Sequence, residues 1–240
     1  MGFLSRLRFV ERGVVPVVGS RVVKFQNSVM SVKPGTSSPH ELRLSNGLKD
    51  FLWHLEGIGR GHLLDLGPAW QNTISFFIER NFKVYTEDLL AAWRDALGAE
   101  EERMRSAPKG AEVQRITPAA RAEAFLKENL RYEAESFDGI LAWDIFDYLE
   151  PQAASKTVER LSDILRTGGV VLAVFHVRRP EKFHRYRVYD KQSVELIPAP
   201  QLLPHVRIFQ NREILNLFER FQSSRTFVGR DQIREGLFIR

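Results

Sequence analysis

The chain has 240 residues, 43% of them hydrophobic and 27% charged, which excludes wholesale disorder and collagen-like repetition and leaves apolar material for a sizeable core. It has no cysteine, so disulfides, thiolate metal sites and cysteine nucleophiles are excluded together. Lys and Arg number 35 against 30 Asp and Glu, and this net charge of +5 permits nucleic-acid binding without indicating it. The longest apolar run, Gly169 to Phe175, is far short of the roughly 20 residues needed to cross a bilayer, so no membrane span is expected. Arg6 and Arg8 interrupt the first residues where a secretory signal needs an unbroken apolar stretch, and a cytoplasmic location is expected.

Residues 1–58 read as an N-terminal cap or extension, with β-like pieces VVPVV, RVVKF and SVMSV broken by Gly, Pro and Ser, then a helix from Gly47 to Glu56. Residues 59–240 read as the main domain. HLLDLG is a strand ending on glycine, and the next helix carries Trp70, Ile74, Phe77 and Ile78 on one face. FKVYTEDL is a second strand and LLAAWRDAL a second helix. Ala99 to Gln114, polar and broken by Pro108 and Gly110, reads as a mobile surface loop, followed by a helix from Pro118 to about Asn129. SFDGILAWD reads as a buried strand. The next helix starts at Pro151, aligns Val158, Leu161, Ile164 and Leu165, and is expected to stop at Gly168. VVLAVFHV is apolar on both faces, as in a parallel strand covered by helices on both sides. After a stretch holding Pro198, Pro200 and Pro204 come a helix from Arg212 to Phe221 and two pieces, SRTFVG and GLFIR, able to pair as a hairpin.

Alternating strands and helices imply a doubly wound α/β fold. The expected sheet is mostly parallel and Rossmann-like, with a C-terminal antiparallel hairpin and ligands bound beyond the carboxyl ends of its strands. At those ends stand Asp65, Gly67, Pro68 and Ala69, then Glu87 and Asp88, then Trp143, Asp144, Asp147 and Tyr148, and finally His176. Carboxylates there suit a ribose diol or a sulfonium better than a pyrophosphate, which wants N–H groups and positive charge. Each residue also has a structural role open to it: Gly67 closing a turn, Asp88 or Asp144 capping a helix, Trp143 in the core, His176 as a satisfied edge residue. No metal site is read from the sequence. Basic residues cluster from Arg6 to Arg21 and from Arg178 to Lys191, the second interleaved with Phe183, Tyr186 and Tyr189. This suits a phosphate backbone with stacked bases, or a solvated rim beside a pocket.

These residues resemble the class I S-adenosylmethionine-dependent methyltransferases. LLDLGPAWQ is similar to that family's first motif, a strand ending in an acid followed by a glycine-rich loop under the cofactor. The acid that bonds the ribose hydroxyls falls on Asp88, with Glu87 adjacent. ESFDGILAWDIFDYLEP resembles the fourth-strand motif and ILRTGGVVLAVF the helix, Gly-Gly turn and fifth strand, while the C-terminal hairpin is similar to the last two strands. The resemblance implies S-adenosylmethionine as cofactor, bound by Asp65, Gly67, Pro68, Ala69, Asp88, Leu89 and Asp144. It also implies methyl transfer by in-line displacement to an acceptor, expected to be a small molecule, under a roof formed by the N-terminal cap and Arg178 to Ile208. Asp144, Tyr148 and His176 are the candidates for a general base.

The family's GxGxG reads here as Gly67, Ala69 and Gln71; Ala69 adds one methyl, and Gln71 either crowds the cofactor or hydrogen-bonds it. The third-strand acid has no clear counterpart, Glu128 and Asn129 being nearest. AWDIF replaces the Asn/Asp-Pro-Pro-aromatic signature of members that methylate base amino groups. Two other functions fit the chain: a methyltransferase-like binding or regulatory protein without catalysis, and a nicotinamide-dependent oxidoreductase, whose glycine fingerprint would have to read Gly67, Ala69 and Asn72.

Overall fold

The computed structural model describes residues 41–107 and 116–240, all within one compact unit, Ser37–Arg240. The three β-like pieces before residue 40, the first basic cluster and residues 108–115 lie outside the described residues. The chain runs β1 (Glu41–Leu44), α1 (Asn46–His54), β2 (Gly61–Asp65), α2 (Gln71–Ile78), β3 (Phe82–Thr86), α3 (Leu89–Ser106) and α4 (Pro118–Asn129). It continues through β4 (Phe137–Trp143), a 3-10 turn (Ile145–Tyr148), α5 (Pro151–Ile164), β5 (Leu165–His176), β6 (His184–Val188) and β7 (Ser193–Pro198). It closes with α6 (Asn211–Leu217), β8 (Ser223–Val228) and β9 (Ile233–Ile239).

The main sheet has the order β3-β2-β4-β5-β9-β8, with β3, β2, β4 and β5 parallel and β9 antiparallel to both β5 and β8. This is the mostly parallel sheet with a C-terminal antiparallel hairpin that the strand pattern implies. Side chains on successive residues of a strand leave on opposite faces. Leu64, Ile140 and Val171 accordingly join one core with Trp93 and Phe125, while Leu63, Leu141 and Leu172 join the other with Phe51 and Phe77. Helices α3, α4, α5 and α6 cover the first face; α1, α2 and the second sheet cover the other.

Three sequence readings are corrected. The segment Ala99–Ser106, expected as loop, completes α3: its Ala, Glu, Arg and Met are good helix formers, and Glu100 ties it to α4 through Arg121 Nε at 2.5 Å. Helix α5 stops at Ile164 rather than Gly168. Leu165 is already extended and pairs with Phe137, and Gly168, at φ +77°, sits in the bulge that follows. The proline-flanked stretch after β5 holds β6 and β7, which with β1 form a separate antiparallel sheet in the order β1-β7-β6. Among the described residues no helix is long and apolar enough to cross a membrane.

Candidate active site

Asp65, the last residue of β2, is fully buried. Its Oδ1 accepts from Gly67 N at 2.9 Å and from Trp143 Nε1 at 2.6 Å, and its Oδ2 has no partner. Burial pushes its carboxyl up to about 7, against the pull of those two hydrogen bonds. The end of β3 runs beside it, since Glu87 N donates to Asp65 O at 2.9 Å and Leu89 N to Leu66 O at 3.2 Å. Asp88 caps α3, accepting from Ala91 N at 3.2 Å, and also accepts both contacts from Arg185 Nη2, at 2.8 and 2.7 Å. The charges of Asp88 and Arg185 both act on Asp65, which puts the two aspartates in one neighbourhood. Glu87 turns the other way and accepts from Tyr132 Oη at 2.7 Å.

The space over Gly67, between these strand ends and β6, is filled by the chain itself. Trp143 adopts φ +47° and lays its indole over Gly67, so closely that a β-carbon at Gly67 would come within 2.9 Å of it. Tyr186, from β6, stacks on the indole with ring centroids 5.5 Å apart and planes 7° apart. Val188 N donates to Thr73 Oγ1 at 3.0 Å, which pins β6 to α2. Gln71 is exposed and donates to Ser75 Oγ, so it does not crowd that space. Pro68 is half-buried, Ala69 exposed, and Leu89 a core residue. In donor chemistry the acids suit an adenosyl group: a buried carboxyl with an orphan oxygen, Asp65, beside a half-buried carboxylate, Asp88, that holds a cation. In space they do so only once Trp143 and Arg185 move aside.

A second cluster lies past the ends of β4 and β5. Asp147, in the 3-10 turn, is fully buried; its Oδ2 lies 2.8 Å from both His176 N and His176 Nδ1, and 3.8 Å from His205 Nε2. Asp144 Oδ2 stands 4.0 Å from His176 Nδ1. Tyr148 packs its ring edge-on to His205. Burial raises the Asp144 carboxyl to about 7 and raises Asp147 as well, although the nearby His176 opposes both. Burial also works against a charge on His176, but the Asp147 hydrogen bond and the Asp144 charge outweigh it and lift its pKa. His205, which gains less from its acids than burial costs it, is shifted down.

The structure thus brings the base candidates Asp144, Tyr148 and His176 together, and places Asp65, Gly67 and Asp88 in a neighbouring group. Sequence reasoning missed Arg185, Tyr186 and His205 and the central position of Asp147. Arg185 and Tyr186 had a signal in the basic, aromatic run they belong to; His205 had none.

No protein-family model and no curated protein matches the chain. Solved structures do resemble it at a distance. One is a Burkholderia thailandensis 1,6-didemethyltoxoflavin-N1-methyltransferase bound to 1,6-didemethyltoxoflavin and S-adenosylhomocysteine (14% identity, 80% of this chain, 76% of that one, TM-score 0.41). Another is a SAM-dependent methyltransferase from Aquifex aeolicus (13%, 82% and 90%, 0.42). Many of these neighbours are S-adenosylmethionine-dependent methyltransferases. They also include the [4+2]-cyclase SpnF (11%, 80% and 79%, 0.40). As these methyltransferase likenesses are remote, the functional reading below rests on the site.

Proposed function

We propose that this chain is an S-adenosylmethionine-dependent methyltransferase whose cofactor hollow is closed, in the form described here, by its own β6 strand. The observation that carries this reading is the Asp88–Arg185 ion pair standing beside the buried Asp65, whose Oδ2 has no partner. Of two acids at the ends of neighbouring parallel strands, Asp88 holds the chain's own guanidinium and Asp65 keeps one oxygen unpaired, acceptors that a ribose diol and a sulfonium would also find. Asp88 would hold the ribose hydroxyls, Gly67 would permit close approach of the cofactor, and Asp65 and Asp144 would supply negative charge near its positive sulfur. When bound, the cofactor supplies the methyl group.

The remaining work of the chain is to orient the acceptor and exclude water. A cavity of about 560 Å³, walled by His176, Arg178, His184 and Leu196 among others, is the place we assign to a small-molecule acceptor. A second reading, a methyltransferase-like protein without catalysis, is favoured by the double engagement of Asp88 as helix cap and Arg185 partner.

Calorimetry with S-adenosylmethionine, S-adenosylhomocysteine and NAD decides between them. If a closed state competes with the cofactor, removing the competitor raises apparent affinity by the reciprocal of the fraction that was open before. Arg185→Ala and Trp143→Ala are therefore expected to tighten binding of both adenosyl ligands by about tenfold or more, and Asp88→Ala to abolish it. Folded Arg185→Ala and Trp143→Ala proteins that bind neither adenosyl ligand would establish the non-catalytic reading, and binding of NAD alone the oxidoreductase.

A further inference from the structure

We propose that Asp147, His176 and His205, with Asp144 as a fourth donor, form a binding site for a first-row divalent transition-metal ion. The inference stands on the geometry of these four side chains and does not depend on the cofactor reading.

One donor atom from each of Asp147, His176 and His205 lies within 4.8 Å of the others. The measured separations around Asp147 Oδ2 and His176 Nδ1, 2.8, 3.8 and 4.0 Å, bracket the spacing of neighbouring ligands about one ion. With metal–N and metal–O bonds of about 2.0–2.2 Å, such ligands stand roughly 3–3.5 Å apart. Small rotations of the two imidazoles would bring Asp147, His176 and His205 to that distance.

The cluster is also short of partners. Asp144 Oδ2, Asp147 Oδ1 and His205 Nε2 are buried with no hydrogen-bond partner, and the side chains carrying them are 5%, 0% and 5% exposed. A buried polar atom left unpaired costs about 1–3 kcal/mol. The unpaired atoms of Asp147 and His205, whose side chains share one ligand-sized cluster with His176, are better explained by one shared cation than by separate defects, and Asp144, 4.0 Å from His176 Nδ1, stands beside it. Two carboxylates and two neutral imidazoles also balance the charge of a divalent ion.

The ligands are held in place by the backbone. Asp144 caps the 3-10 turn after β4 and Asp147 lies within it, and His176 ends the adjacent strand β5 with its own N–H on Asp147 Oδ2. The loop bearing His205 is tied to the same residue, because Val206 N donates to Asp147 O at 2.8 Å. Preorganisation of this kind separates a ligand set from a chance meeting of polar groups. His176 also walls the 560 Å³ cavity, which gives an ion a way in. Two imidazoles with carboxylates and no thiolate select zinc, iron, manganese, cobalt or nickel, whereas magnesium and calcium prefer all-oxygen shells.

The test uses the full chain after removal of metal by chelation, titrated with Co²⁺ and followed by visible absorption, with Zn²⁺ and Mg²⁺ as competitors. The expected result is one Co²⁺ per chain with a dissociation constant below about 10 micromolar, displaced by Zn²⁺ and not by Mg²⁺. His205→Ala and His176→Ala should each weaken Co²⁺ binding by about 100-fold or more, while His184→Ala, on the cavity wall outside the cluster, stays within about threefold. Because His205 lies on a loop, its variant tests the site even if Asp147→Asn or His176→Ala fails to fold. A folded, stripped protein that takes up no Co²⁺ at 100-fold that concentration, that binds it equally without His205, or that yields it to Mg²⁺, would overturn the assignment.

Discussion

At the scale of single residues, Asp65 makes a prediction free of any ligand. Its carboxyl, ordinarily at 3.8, stands at about 7 in the folded chain. Between those values the native protein holds a proton that the unfolded chain has released, so stability is intact below the lower value and is lost as the pH rises through the upper one. The full loss is on the order of 4 kcal/mol. Asp65→Asn keeps an oxygen to accept from Gly67 N and Trp143 Nε1 but cannot ionise. Urea unfolding of the metal-free protein should show the wild type weakening from pH 5 to about pH 8, and the variant weakening distinctly less; Asp144, raised in the same sense, accounts for the remaining slope. Asp65, Gly67 and Asp88 were legible in the sequence because an acid or glycine at a strand end is a local pattern. Trp143 over Gly67 was not. Its contact with Asp65 spans 78 positions and needs a left-handed backbone that no neighbouring residue announces. The Arg185 pairing with Asp88 spans 97.

At the scale of elements, α1 shows how little room the packing leaves. Ser45 caps the helix through Leu48 N, and Gly47 N donates to Glu235 Oε2 at 2.8 Å, which fixes the first turn on β9. A β-carbon on Gly47 would meet Leu172 Cδ1 at 2.8 Å and Glu235 Cβ at 2.9 Å. Alanine is the better helix former by about 1 kcal/mol, but overpacking of a tight core costs about 1–3 kcal/mol. Gly47→Ala is therefore expected to lower the unfolding free energy, by about 1–2 kcal/mol in urea titration. Helices and parallel strands of the main sheet were readable because periodicity and unbroken apolar runs are written in consecutive residues. The sheet of β1, β7 and β6 was not: in HRYRV only Tyr186 and Val188 join the core, between half-buried basic residues, so the text reads as a charged rim.

At the scale of the whole molecule, β6 cannot move alone. It pairs with β7, and β7 with β1, so opening the hollow means shifting a three-stranded sheet that Val188 N pins to Thr73 and Arg185 pins to Asp88. Hydrogen exchange is expected to accelerate over His184–Pro198 when S-adenosylhomocysteine is added, with β4 and the inner part of β5 unchanged. Uniform protection of the segment on addition of the ligand would mean that the sheet closes over a cofactor bound elsewhere. The mostly parallel character of the main sheet and its closing hairpin were legible because strands alternate with helices and are apolar throughout; the order of its strands and the placement of the second sheet depend on tertiary contacts.

The stack of Trp143 on Tyr186 has a practical result. The indole is buried, 3% exposed, and hydrogen-bonded to a carboxylate, whereas Trp53 is 65% exposed at the surface. Lifting Tyr186 away would carry the Trp143 ring from a dry environment into water, shifting its fluorescence to longer wavelength while the emission of Trp53 stays as it was. The protein therefore carries a built-in optical gauge of whether its hollow is open.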